Sequence, residues 1–102
     1  MIDFDERLRA YRIARAEMDR HHAVEPAPDD NGDYDSRTNE LSDVHTAAMN
    51  ALLLTPAKFQ HEIAQKLRII VAEEIHDGWH LATPILALVS EDADRLLKMV
   101  RT

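Results

Sequence analysis

Only two glycines, Gly32 and Gly78, stand in this chain of 102 residues. Tight β-hairpin turns draw on glycine or asparagine to reach positive φ, so this scarcity makes an all-β fold improbable. It also excludes the glycine-rich loops that cradle phosphates. A chain that seldom turns tightly must place its residues in longer elements, and the spacing of its apolar residues says which.

Phe4, Leu8, Tyr11, Ala14 and Met18 recur at intervals of three and four. That period keeps them on one stripe of a helix running from about residue 3 to 23. Asp3 and Asp5 sit where they offset the positive end of the helix dipole. The pairs Asp3–Arg7 and Asp5–Arg9 have the favourable acid-before-base order, each contributing about 0.3 kcal/mol. From Val24 the pattern stops. Pro26 and Pro28 remove donors and restrict the residues before them, and Asn31-Gly32 favours a turn, so a mobile acidic loop is expected over about 24–36. A second helix is expected over 36–54, with an inward stripe of Leu41, Val44, Ala48 and Leu52 widened by Ala47, Ala51 and Leu53.

Thr55-Pro56 then reads as a cap followed by proline at the first helical position, which predicts a third helix over 56–79. Ile63, Ala64, Leu67, Ile70, Val71 and Ile75 give it a broad apolar face centred on Leu67, Val71 and Ile75. Thr83-Pro84 repeats the signal and opens a fourth helix over 84–100. Its apolar set is Ile85, Leu86, Leu88, Val89, Ala93, Leu96, Leu97 and Val100. Ser90-Glu91-Asp92 could re-cap and break it, and both readings stay open. The expectation is an all-α fold: one domain over 1–102, a small bundle of three to four helices with a long acidic loop after helix one.

Composition narrows the function classes. Hydrophobic residues make up 45% of the chain, enough for a core, and that core must be mostly aliphatic because aromatic residues are only 5%. Twelve Lys and Arg against 19 Asp and Glu leave a net charge of −7. Such a balance argues against direct nucleic-acid binding, which needs a cationic surface to displace counterions. The acids are concentrated early, with 12 against 6 bases in residues 1–46 and 7 against 6 in residues 47–102. The absence of cysteine excludes disulfides, thiolate metal sites and a thiol nucleophile together. The acidic start, Met1 to Glu6, lacks the basic n-region and apolar h-region of a secretory signal. The longest apolar stretches, Ala51–Leu54 and Ile85–Val89, fall far short of the ~20 residues of a membrane span. A cytoplasmic protein of a bacterium or its phage, without a membrane partner, is expected.

Six histidines invite a metal reading. Glu73, His76 and His80 form the best candidate set, because Glu-x-x-His sets a carboxylate and an imidazole one helical turn apart. On a helix over 56–79, however, they point away from Leu67, Val71 and Ile75, whereas carboxylate-bridged metals face inward. A solvated polar face is the simpler reading, and a metal bound there would bridge two chains. His61-Glu62-Ile63-Ala64-Gln65 begins like the zinc-protease motif but has Gln65 at the second ligand position. His21 and His22 fit the C-terminal end of helix one, where the dipole favours a cation. His45 reads as a boundary residue beside the helix-two stripe. Ser36, Ser42 and Ser90 read as cap or turn residues, and no Gly-x-Ser-x-Gly elbow exists. A helix-turn-helix around Thr55-Pro56 would put only Lys58, Lys66 and Arg68 on its recognition segment, too few for an acidic protein. The expectation is a protein that is not an enzyme and has no cofactor.

Leu54-Thr55-Pro56-Ala57, Ala64-Gln65-Lys66-Leu67 and Glu73-Glu74 together resemble a phrase found in small uncharacterised helical proteins of proteobacterial genomes, often in prophage or mobile regions. The resemblance covers residues 47–75 and implies a helical accessory protein, with no catalytic residue carried over. The expected function is therefore a non-catalytic protein-interaction or accessory module. Helices three and four carry much apolar surface for so short a chain, which points to a homodimer, with Ile69 and Trp79 as candidate contact residues. One alternative is an acidic inhibitor that occupies the basic nucleic-acid-binding surface of a partner through the acidic segment Glu25, Asp29, Asp30, Asp33, Asp35, Glu40 and Asp43. The other is a metal-binding bundle built on Glu73, His76 and His80.

Overall fold

A computed structural model describes residues 3–101, with side chains through Met99. Among the described residues the chain is all-α, with four helices: α1 Phe4–His22, α2 Asp33–Leu53, α3 Gln60–Ala72 and α4 Ala82–Arg101. The chain divides into two compact units, Met1–Ala51 and Leu52–Thr102.

In the first unit α1 follows its sequence. The Asp3 side chain accepts from the Glu6 N–H at 2.9 Å and caps the helix. Phe4, Leu8, Tyr11 and Ala14 are all buried, as their spacing requires. The helix end carries Arg20, His21 and His22, favourable at the negative end of the dipole. Helix α2 starts at Asp33, three residues before the expected Ser36. The cause is Asp30, whose Oδ1 accepts from the Asp33 N–H at 2.7 Å and whose Oδ2 accepts from Tyr34 at 3.0 Å. Gly32, at φ 95°, makes the turn that lets this carboxylate reach forward. The irregular segment is correspondingly shorter than the expected 24–36.

Tyr11 lies against His45, ring centroids 5.7 Å apart, and His21 stacks on Tyr34 at 4.1 Å. Higher numbers on α1 thus meet lower numbers on α2, so the two run antiparallel. The buried face of α2 consists of Leu41, His45, Met49, Leu52 and Leu53, while Val44 is 55% exposed. The expected stripe through Val44 is displaced because the imidazole of His45, packed on Tyr11, takes an inward position.

The second unit departs further from its sequence pattern. Thr55-Pro56 does not begin a helix; α3 begins at Gln60, with Phe59 as an extended N-cap residue that lends no side-chain bond. Glu62, in the first turn, reaches back to accept from the N–H of Lys58, one residue before the N-cap, at 2.7 Å. Helix α3 ends at Ala72, seven residues before the expected Trp79. The Ile75 N–H bonds the Ile70 carbonyl at 3.0 Å and the Glu74 N–H bonds that of Val71 at 3.2 Å. With Glu74 at φ 54°, this is a Schellman termination, and Ile70 and Ile75 are both buried beside it. Helix α4 runs unbroken through Ser90 and begins at Ala82, two residues earlier than Pro84 implied. Lys66 bonds Asp92, and Arg95 reaches the carbonyl of Ala57 at 2.9 Å, so α3 and α4 pack as an antiparallel hairpin.

Candidate functional site

The sequence places an apolar face of α3 on Leu67, Val71 and Ile75. Of these only Ile75, beyond the helix end, is buried; Leu67 is 46% and Val71 67% exposed. The buried positions on α3 are Glu62, Lys66, Ile69 and Ile70. On α4 the buried row is Ile85, Val89, Asp92 and Leu96, while Leu86 and Leu97 are exposed. The second unit therefore holds three charged side chains inside and displays leucines outside.

The reason is a sealed ion pair. Lys66 Nζ donates to Asp92 Oδ2 at 2.7 Å, and both side chains are 0% exposed. The second Asp92 oxygen accepts from Arg95, whose guanidinium also holds the Ala57 carbonyl. Removing two charges from water costs several kcal/mol per ion, offset only when the geometry is good and the other donors and acceptors are met. Here both carboxylate oxygens are met. Because Lys66 must face Asp92, the roll of α3 and α4 about their axes is set by charge, and the leucines one position further round are carried outward. With both side chains fully buried, the pair holds α3 against α4.

The displaced residues fall together. At about 100° per residue, Ile63, Leu67 and Val71 lie round α3 from Lys66 in the chain direction. Ala93, Leu97 and Leu86 lie round α4 from Asp92 in the same sense. In an antiparallel pair, equal turns from facing positions lead to the same side of the hairpin. A concavity of about 350 Å³ lined by Gln60, Ile63, Ala93, Leu96 and Leu97 shows the two rows meeting there. The exposed Leu67, Val71, Leu86 and Leu97 thus fall on the same side of the hairpin as this concavity.

The residues singled out from sequence fare unevenly. Glu73 is the C-cap of α3 and His76 lies in the turn beyond it, so Glu73, His76 and His80 do not share a helix face. Among the described residues no group of three or more His, Asp and Glu side chains is gathered to hold a metal. Ile69, a candidate contact residue, is only 7% exposed and belongs to the core. Trp79 is half-buried, its ring 4.5 Å from that of His80. Of the acids, Asp30 is the α2 cap and Asp33 and Asp35 occupy the first turn, where the dipole favours them; Asp29 stays exposed in the loop.

His21 does more than end α1. Thr38 Oγ1 donates to the Tyr34 carbonyl at 2.9 Å, which uses its only proton. His21 Nε2, 2.7 Å from the same oxygen, must then be the donor. Tyr34 in turn donates to the His21 carbonyl at 3.1 Å. These bonds tie α1 to α2 and border an open cleft of about 390 Å³ flanked by Arg20 and Arg37.

Sequence reasoning missed Lys66 and Asp92. A signal was present, since Asp92 stands seven residues after Ile85, three after Val89 and four before Leu96, at the centre of an apolar row. No helix is long and apolar enough to cross a membrane among the described residues. The chain matches no protein-family model, no curated protein and no solved structure.

Proposed function

We propose that the protein is a non-catalytic interaction module whose contact surface is the apolar face of α3 and α4. The observation that carries this reading is the outward placement of Leu67, Val71, Leu86 and Leu97 while charged side chains take interior positions. Exposing leucine is unfavourable in water at about 25 cal/mol per Å², so a fold that does so gains that area back when another surface covers it. Action in the cytoplasm of a bacterial or phage-infected cell as a cofactor-free accessory protein belongs to this reading, and the homodimer expected from sequence is one form that it could take. The acidic-inhibitor alternative keeps exposed carboxylates at Asp29, Asp33 and Asp35, whereas the carboxylate of Asp30 is taken up by the start of α2.

A photo-crosslinking residue in place of Leu67 tests the reading in cells. A discrete crosslinked protein species at Leu67, absent when the probe replaces the exposed Arg12 of α1, is the expected result. Equal, diffuse labelling at both positions would remove the surface from consideration.

A further inference from the structure

We infer that the occupant of this face is a second copy of the chain, arranged so that α3 of each copy lies along α4 of the other. The inference rests on the interaction-module reading and specifies its partner. Two helical hairpins stacked face to face complete a four-helix bundle, the common way for such a pair to cover its open side.

Heights along the hairpin follow from the Lys66–Asp92 contact. In an antiparallel pair, Ile63 stands level with Arg95, Leu67 with Glu91 and Val71 with Ala87. A two-fold axis parallel to the helices preserves these heights and sets α3 opposite the α4 of the second copy. The bulky Leu67 then meets the small Ser90 and Ala93 there, and Ile63 meets Leu97. Large side chains oppose small ones, as interdigitated packing requires.

The charged rim selects this arrangement over its rival. Arg68 and Asp94 each stand two residues past the facing pair, so both lie on the outer edge of the apolar face. Arg68 is exposed and has no ion-pair partner among the described residues. Asp94 pairs with the exposed Lys98, at 3.1 Å. With α3 opposite α4, Arg68 of each copy comes within one helical turn of Asp94 of the other and close in height to Glu91. A two-fold axis across the helices would set α3 on α3, bringing Arg68 beside Arg68 and Asp94 beside Asp94. Like charges so placed oppose association, and opposite charges fix register.

Sedimentation equilibrium on the full chain, at low and high salt, tests the inference with three variants. The wild type is expected at twice the 11.7 kDa chain mass, at both salt concentrations because the centre is apolar. Leu67→Glu is expected to give a monomer with the helical circular dichroism of the wild type. Arg68→Glu is expected to weaken the dimer about tenfold at low salt, and Arg68→Glu with Asp94→Arg to recover most of that loss.

Three outcomes overturn the inference: a wild-type monomer at every concentration, a Leu67→Glu dimer as tight as wild type, or a double swap weaker than Arg68→Glu alone. Crosslinking at Leu67 separates the two levels of the argument. A wild-type monomer that still gives a discrete crosslink to another protein ends the second-copy inference and leaves the interaction module standing. A monomer with no discrete crosslink ends both.

Discussion

The two units apply the same helix physics to opposite effect. In the first, Phe4, Leu8, Tyr11 and Ala14 of the α1 stripe go inside and Met18 is half-buried. In the second, Glu62 and Lys66 share the interior of α3 with Ile69 and Ile70, and Leu67 and Val71 face out. Amphipathic spacing finds the inward face when nothing charged competes for it. Where a lysine and an aspartate satisfy each other, the pair dictates the roll of the helices and the apolar residues go where that roll leaves them. A face exposed for this reason is also one that the fold can offer to a partner.

The largest test of this contrast is Asp92→Ala. It leaves Lys66 as an unpaired buried charge and should cost about 3–5 kcal/mol in urea unfolding. Replacing both partners by apolar residues, Lys66→Met with Asp92→Leu, should cost far less, since the loss comes mainly from the orphaned charge. If the single and double variants are equally unstable, the ion pair is not what organises the second unit.

Next in size is a pair of leucines. Leu8→Ala, on the buried stripe of α1, should cost about 2–5 kcal/mol, whereas Leu67→Ala on α3 should cost under about 1 kcal/mol in the dissociated chain. Denaturation at low protein concentration checks this, and similar losses would erase the distinction between the units.

The smallest effect concerns the end of α3. Glu74 holds a positive φ of 54°, where a β-carbon is unfavourable. Glu74→Gly should raise the thermal midpoint, stabilising by about 0.5–1 kcal/mol. A loss of stability would mean that the Glu74 side chain contributes more than its backbone strain costs.

Much of the molecule was legible because its signals are local. The helical class, the extent of α1, the existence of all four helices and the continuation of the fourth past Ser90 as one of two open readings all follow from near-neighbour patterns. The early start of α2 also rests on a local device, the Asp30 cap, but one separated from the helix by Asn31-Gly32, which reads more readily as a plain turn. The ends of α3 were misread for the same kind of reason. Thr55-Pro56 imitates a helix start, and a Schellman termination with glutamate in place of glycine gives no compositional warning.

Composition and residue spacing suffice to make this chain helical, acidic and without thiol chemistry, and to show roughly where its helices lie. Periodicity, capping preference and residue chemistry act over one or two turns and need no distant partner. Which side of α3 and α4 faces inward is set instead by packing between residues far apart in the chain. That choice turns on Lys66 meeting Asp92 across 26 positions of chain, and a buried charge declares its preference only when its counter-charge is in place. The same meeting exposes Leu67, Val71 and Leu97, and withdraws Ile69 from the surface that its sequence position suggested.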